Sequence, residues 1–155
     1  MVANGFYFIK NDFFSIMQAP YLKDNKNSKR PFYYCFKEDN SDIYWMIPLS
    51  SRVDKYKKLI AKRKEQNKPC HGIHILTFPT GRESVFLIQD IFPVTEKYID
   101  RAYTIGNIPL YLLDKNEIAT INDKAKTVLR LSKKGIKLTP TSPDIWKIYA
   151  KLTKE

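Results

Sequence analysis

Two adjacent hydroxyl side chains, Ser50 and Ser51, stand directly before a stretch that is rich in lysine and arginine. Arg52 comes next, and the segment that follows, VDKYKKLIAKRKEQ, has the apolar spacing of a helix. The amino end of a helix attracts anions, because its first backbone N–H groups are free and its dipole is positive there. Hydroxyls and cations at such a point could therefore hold a phosphate group.

The same residues also fit a simpler structural role. The segment Ser51–Asp54 matches a capping box, in which the Ser51 hydroxyl bonds to a helix amide and the Asp54 carboxylate reaches back. A capped amphipathic helix, Ser51–Gln66, would then expose a solvated basic face. The sequence leaves both roles open.

Motifs of nucleotide-dependent and metal-dependent enzymes are not found in the sequence. It has no Walker loop, no GxGxxG, no HExxH and no GxSxG elbow. His71 and His74 lack the spacing of a helical metal pair, and Asp90, Glu96 and Asp100 do not form a convincing ligand set. We therefore expect no metal and no cofactor. Cleavage of RNA could instead use its own 2′-OH as the nucleophile, while the protein orients the chain and stabilises the developing charge.

The charge of the chain indicates a polyanionic partner. Lys and Arg number 27 against 16 Asp and Glu, which leaves a formal net charge of +11. Such an excess costs self-repulsion that nucleic acid relieves. Because the sequence shows no long apolar run, signal-peptide pattern or lipidation motif, we expect a cytoplasmic protein without membrane contact. Cys35 and Cys70, each in an apolar run, are expected to be small buried thiols.

Aromatic runs and turn residues predict an α+β fold. Gly5–Lys10 predicts a strand, and Asp12–Gln18 a short helix with its first residue as the cap. Phe32–Lys37 and Ile43–Leu49 predict an antiparallel hairpin before the basic helix.

The second half of the chain predicts another hairpin and then helices. CHGIHILTF and SVFLIQDIF are joined by a PTGRE turn, and Lys97–Tyr103 adds a strand. Leu110–Gly135 has helical spacing with a glycine stop, and Ser142–Asp144 opens a last helix. Without repeats or linkers, residues 1–155 are expected to form one domain.

The order of these motifs resembles the ToxN/AbiQ-like family of type III toxin–antitoxin endoribonucleases, and its CptN branch most closely. The resemblance is carried by FYFIK before a helix, by Lys29–Phe32 at the start of a strand, and by Pro48–Ser51 at a helix start. IFPVTEKYI and the long C-terminal helix extend it over most of the chain. It implies a compact, highly twisted antiparallel sheet, barrel-like as in the plasmid-maintenance toxins, with helices around it.

The resemblance also implies an activity and partners. A toxin of this kind is a metal-independent, sequence-selective endoribonuclease that inhibits growth and gives phage resistance. Attack by the 2′-OH on cellular mRNA would leave a 2′,3′-cyclic phosphate and a 5′-OH. The toxin would also process the precursor of its own repeated antitoxin RNA and be inhibited by the resulting pseudoknot RNA in a closed protein–RNA complex.

The catalytic residues of the family match five positions of this sequence. Ser50 and Ser51 would contact the scissile phosphate, while Lys29 or Arg30, together with Arg52, would stabilise the transition state. The sequence departs from the family pattern at Val53, near a lysine of the relatives, so that either Arg52 or Lys55 would supply this charge, and at Phe13, near a tyrosine.

RNA binding is expected through the basic helix, the loop from Lys23 to Arg30 and an aromatic strand. The expected contacts are Lys23, Lys26, Lys55, Lys58, Lys62, Arg63 and Tyr33, with Tyr34, Tyr44 and Trp45 as further stacking candidates. Two other functions fit the same residues: a non-catalytic RNA-binding module, and an inhibitor of an acidic protein. The order of the elements favours the endoribonuclease, although charge alone does not separate cleavage from binding.

Overall fold

The computed structural model describes residues 1–155 and confirms the predicted α+β class, with an antiparallel seven-stranded sheet and four α-helices. The strands are β1 (Phe6–Ile9), β2 (Phe32–Lys37), β3 (Tyr44–Ser50), β4 (His74–Thr77), β5 (Glu83–Phe86), β6 (Phe92–Val94), β7 (Ile99–Ala102), β8 (Thr104–Ile105) and β9 (Ile108–Pro109). The helices are α1 (Asn11–Met17), α2 (Val53–Glu65), α3 (Lys115–Lys133) and α4 (Ile145–Thr153).

The sheet runs in the order β4-β5-β3-β2-β1-β7, and β6 pairs with the first half of β3. Every pair is antiparallel, and the predicted β2–β3 hairpin is confirmed with Tyr33 opposite Ile47. The sheet is open rather than closed, since β4 and β7 form its two edges. β8 and β9 make a separate two-stranded ribbon.

The core is aromatic and is shared by both halves of the chain. Trp45, Tyr33 and Phe6 are fully buried in a cluster of 28 residues that extends from β1 to α4. Burial of one such side chain contributes about 1.5–3 kcal/mol. This cluster fixes the sheet that carries the ends of β2 and β3.

Three local predictions differ from the structure. Asp12 does not cap α1, because the helix begins one residue earlier, after Lys10, without a side-chain cap. The apolar run from Ser84 to Phe92 is broken into β5, a short 3₁₀ turn and the start of β6. Leu110–Leu113 lies outside α3, which begins after Asp114 because that carboxylate accepts bonds from the first helix amides.

The predicted end of α3 agrees with the structure, whereas the burial predicted for both cysteines is found for one of them. Gly135 follows the end of α3 with a φ of +78°, a conformation that glycine adopts without strain. Cys35 is buried and unpaired, whereas Cys70 is unpaired but only half-buried in the loop before β4. None of the four helices combines the length and the apolarity that crossing a bilayer requires.

Candidate functional site

One large cleft, of about 1060 Å³, opens where β3 ends and α2 begins. Four distant segments line it: the loop before β2, the β3–α2 junction, the turn between β4 and β5, and the stretch from residue 103 to 113. We call it the basic cleft, after the cations in its lining: Lys23, Lys26, Lys29, Arg30, Arg52, Lys55 and Arg82. It brings together all five residues predicted to be catalytic: Ser50, Ser51, Lys29, Arg30 and Arg52.

The two serine hydroxyls are held differently. Ser50 is the last residue of β3, opposite Val85 of β5, and its Oγ accepts a bond from the backbone N–H of Arg52 at 3.2 Å. Ser51 is exposed, and its hydroxyl makes no hydrogen bond within the chain. The Ser50 proton and the whole Ser51 hydroxyl therefore remain available to a ligand.

The predicted capping box at Ser51 is wrong. α2 begins at Val53, with Arg52 in the cap position and no side-chain cap. The backbone carbonyl of Ser51, and not its hydroxyl, accepts the bond from Val53 N at 2.9 Å. The backbone N–H groups of Asp54 and Lys55 have no acceptor in the chain, so they add free donors beside the serines.

The loop before β2 is built to present its cations. Asn25 is buried, and its side chain bonds both to the backbone of Ile9 at the end of β1 and to Asn11. The next three residues, Lys26 to Ser28, all have positive φ, between +49° and +63°. Non-glycine residues pay about 1–2 kcal/mol each for this conformation. The loop is thus fixed by Asn25 and strained at the three residues that follow it. It places Lys26, Lys29 and Arg30 in the cleft.

A buried carboxylate, Asp90, lies behind the cations. It is 3% exposed, and Lys23 Nζ lies 3.7 Å from its Oδ2. Burial raises the pKa of Asp90 from 3.8 to about 6, and the charges of Lys23 and Arg30 oppose the rise. A buried acid with a perturbed pKa beside a cleft is typical of functional sites.

Tyr56, on the first turn of α2, lines the cleft and lies close to Asp90, Arg52 and Arg30. Burial raises its pKa, the charge of Asp90 adds to the rise, and Arg52 and Arg30 oppose it. Lys55 Nζ lies 5.2 Å from the centre of the Tyr56 ring, within cation–π range. The phenol therefore sits among the same charges that line the cleft.

Sequence reasoning missed Asp90, Tyr56 and Arg82 as parts of this site. Asp90 was considered only as a metal ligand, yet a carboxylate inside the apolar run SVFLIQDIF has to be buried and therefore needs a cationic partner. That signal could have found it. Arg82 lies in the turn between β4 and β5, and no sequence pattern links that turn to α2.

Several predicted RNA contacts lie outside the cleft. Lys58 and Lys62 are exposed on α2, three and seven residues beyond Lys55 and hence on the same helix face. Arg63 is half-buried, and its Nε donates to the Pro69 carbonyl at 2.8 Å, so it fastens the loop after α2.

The prediction that Tyr33 contacts RNA is wrong. The residue is 0% exposed, and its hydroxyl donates to Asn4 Oδ1 at 2.9 Å. Trp45 is also fully buried, and Tyr34 is 7% exposed. The prediction assumed that one face of the hairpin is free, whereas four successive residues of β2, Phe32–Cys35, are buried because both faces are covered.

The donors in the cleft do not suit a divalent cation. No three His, Cys, Asp or Glu side chains of the chain are grouped so that they could hold a metal ion. The cleft lining itself contains one carboxylate, Asp24, among seven cations. An anion matches this lining by charge.

Comparison with known proteins finds a similar fold among solved structures. No protein-family model matches the chain, and no curated protein does. Among solved structures, the chain is similar to AbiQ, a lactococcal anti-phage endoribonuclease belonging to the type III toxin–antitoxin system. The TM-score is 0.70, with 98% of this chain and 97% of that chain covered, at 17% sequence identity. At this identity the likeness establishes a common fold over nearly the whole of both chains.

Proposed function

We propose that this chain is the toxin of a type III toxin–antitoxin system and acts as a metal-independent endoribonuclease. The observation that carries the proposal is the basic cleft, where two serine hydroxyls, free helix amides and seven cations meet on the fold that AbiQ has. The 155 residues would work as one catalytic domain in the cytoplasm. Within the family we place the chain nearest the CptN branch, on the motifs at 29–32 and 48–51.

The proposed reaction is an internal transesterification of RNA. The 2′-oxygen bonds to the adjacent phosphorus as its proton passes to water, and the bond to the 5′-oxygen breaks as that oxygen takes up a proton from water and leaves as a hydroxyl. Ser51 and Ser50 donate hydrogen bonds to the phosphoryl oxygens, and Lys29, Arg30 and Arg52 stabilise the charge that develops on them. The products are a 2′,3′-cyclic phosphate and a 5′-OH.

The proposed partners are RNAs. The toxin would cut cellular mRNA at selected sequences and would process the precursor of its own repeated antitoxin RNA. The resulting pseudoknot RNA would close the basic cleft within a protein–RNA complex and so inhibit the enzyme. The charge of +11 supports a polyanionic inhibitor.

Cleavage of RNA in excess EDTA tests the catalytic proposal. We expect the purified protein to cut a single-stranded RNA without divalent metal and to leave a cyclic phosphate end. The matched substrate, with a 2′-deoxy sugar at the cut site, should stay intact because it lacks the nucleophile. Cutting that requires Mg²⁺, or a deoxy substrate cut equally well, would refute the mechanism. RNA binding without cutting would indicate the non-catalytic binding module instead.

Sequencing the RNA that co-purifies with the protein tests the antitoxin. We expect one small repeated RNA to dominate, with ends that match the cleavage chemistry. A broad sample of cellular RNA, with no enriched repeat, would contradict the proposed inhibitor.

A further inference from the structure

The stretch Tyr103–Leu113, YTIGNIPLYLL, carries no charged residue, although 28% of the chain is charged. We call it the uncharged segment. It contains four of the nine large apolar side chains that the structure leaves exposed: Ile105 (49%), Ile108 (71%), Tyr111 (36%) and Leu113 (82%). Single exposed apolar residues are ordinary, but a cluster of them indicates a binding surface.

The uncharged segment lies in the basic cleft. Seven of the 25 residues that line the cleft belong to it: Tyr103, Ile105, Ile108, Pro109, Leu110, Tyr111 and Leu113. The cleft therefore combines cations from the loop before β2 and from α2 with an apolar, partly aromatic surface. A site for phosphate alone does not need this second surface.

The segment is held firmly at its base. Tyr103 N donates to the Phe6 carbonyl at 2.8 Å, and Leu112 N donates to the Asn4 carbonyl at 2.8 Å. The Tyr103 ring packs edge-on against Phe8 with ring centres 5.8 Å apart. At the tip, Gly106 and Asn107 both have positive φ, +57° and +64°, as a tight two-residue hairpin turn requires.

This arrangement fits a nucleobase better than it fits a protein partner. In a single strand, each nucleotide joins an anionic phosphate to a flat base with two apolar faces. Cations take the first part, and tyrosine rings and aliphatic side chains take the second. An acidic protein would have to present carboxylates and an apolar face side by side, whereas every nucleotide carries both parts.

We infer that the uncharged segment is a base-binding wall, on which unpaired bases of single-stranded RNA stack while the neighbouring phosphates bind the cations of the same cleft. The inference rests on the proposed function and identifies where that enzyme holds the bases of its substrate. All four exposed residues of the segment line the cleft, and we take two as the central contacts: Tyr111, which supplies an aromatic ring, and Ile108, which follows the hairpin turn and is 71% exposed.

Binding of 2′-O-methyl RNA tests the inference without cleavage, because its 2′-oxygen cannot attack. With a single-stranded oligonucleotide on the order of ten residues long, we expect Tyr111→Ala and Ile108→Ala each to weaken binding about 5-fold to 150-fold. The slope of log K against log salt should not change, since the phosphate contacts are kept. The control variants Tyr21→Ala and Ile136→Ala, at exposed residues of the same types outside the cleft, should bind normally.

Abasic nucleotides separate stacking from a general effect on structure. A set of oligonucleotides, each with one base removed, should contain a position at which the wild type loses affinity. Tyr111→Ala should lose little more at that position, because the contact is already absent. Equal losses for the wild type and the variant at every position would show that Tyr111 supports the fold and touches no base, and would overturn the inference.

The remaining outcomes distinguish the inference from the proposed function. A wild type that cuts RNA, with both variants binding and cutting as it does, overturns the base-binding wall and leaves the endoribonuclease standing. Binding without cutting refutes the catalytic proposal alone. A wild type that binds no single-stranded RNA refutes both. If Ile108→Ala abolishes a dimer in sedimentation while RNA affinity stays the same, the segment is a self-interface and the inference is wrong.

Discussion

Ser50 and Ser51 differ in whether their hydroxyl groups are hydrogen-bonded within the folded chain. The Ser50 hydroxyl supports the turn into α2 through the amide of Arg52, whereas the Ser51 hydroxyl bonds to nothing in the chain. Removal of Ser50 thus affects both the fold and the site, and removal of Ser51 affects the site alone.

We predict that Ser51→Ala lowers the rate of RNA cleavage about 10²–10³-fold, the usual cost of one lost donor to a developing oxyanion. Its free energy of unfolding should change by less than about 0.5 kcal/mol, because the residue is exposed and unbonded. Single-turnover kinetics and denaturant unfolding measure the two quantities. Ser15→Ala, at an exposed serine of α1, is the control. A Ser51→Ala protein that cuts at the wild-type rate would remove this hydroxyl from the mechanism.

Asp90 costs the protein stability at neutral pH. Its pKa is raised in the folded state, from 3.8 to about 6, so the folded chain favours the protonated form. The stability associated with that form is fully present below the unfolded pKa and is lost as the pH rises through about 6. Above pH 6 a buried charge remains, held by Lys23 and Arg30.

We therefore predict that Asp90→Asn raises the free energy of unfolding by about 2–3 kcal/mol at pH 8, since each unit of pKa shift corresponds to about 1.4 kcal/mol. The gain should stay nearly constant down to about pH 6 and shrink between pH 6 and 4, where the folded wild type becomes protonated. Urea unfolding of both proteins across this pH range measures it. A gain that is the same at every pH would mean that the effect does not come from ionisation.

At the scale of elements, α2 carries cations on one face from the cleft outward. Lys55 lines the cleft, and Lys58 and Lys62 continue the same face, whereas Lys64 lies on the opposite side of the helix. Lys57, on another face, is paired with Glu83 at 3.0 Å. Lys55, Lys58 and Lys62 thus form a row that continues the cations of the cleft, and Lys57 and Lys64 lie off that row.

The double substitution Lys58→Gln and Lys62→Gln should flatten the salt dependence of RNA binding. Each lost phosphate contact on a single strand reduces the slope of log K against log salt by about 0.7. The charge-matched double change Lys57→Gln and Lys64→Gln, on other faces of α2, should leave the slope as it is. Equal effects of the two changes would show that only the total charge matters and that α2 has no RNA-facing side.

The elements were predictable to the extent that their signals are local. Alternating aromatics marked the β2–β3 hairpin, and Gly135 marked the end of α3. The sequence does not show where the run Ser84–Phe92 breaks into separate elements, because a continuous apolar run has no periodicity. The break contains Asp90, whose contact with Lys23 depends on the tertiary fold. The last four residues of the uncharged segment, Leu110–Leu113, were predicted to begin α3 because apolar residues were assumed to face a core.

The candidate site was predictable in part. The two serines and the nearby cations were predicted from the segment around Ser50 and from the family resemblance. All of them line one cleft in the structure. The other positions depend on the tertiary fold. Tyr33 is buried away from the site because β2 is covered on both faces, and Arg82 is brought to the cleft by the β4–β5 hairpin. Long-range packing decides such positions.

At the scale of the whole molecule, repulsion among like charges should limit stability when no polyanion is bound. We predict that the melting temperature of the free protein rises between about 10 mM and 150 mM salt, as the screening length falls from about 30 Å to about 8 Å. The double change Lys58→Glu and Lys64→Glu lowers by four the net charge of +11 and should weaken this response. A melting temperature that falls with added salt would mean that the ion pairs outweigh the repulsion.

The strand order also determines how much of the chain must be translated before the cleft can form. β1 is made first, but one of its partners is β7, where Arg101 lies opposite Phe8, and the lining of the cleft continues to Leu113. A ribosome must therefore translate past codon 113 before a complete cleft can form. Under the proposed activity, a finished toxin that cuts its own message upstream of that codon leaves only fragments without a cleft. Each such cut would lower the supply of new enzyme, and the pairing of β1 with β7 means that the truncated product would have no cleft.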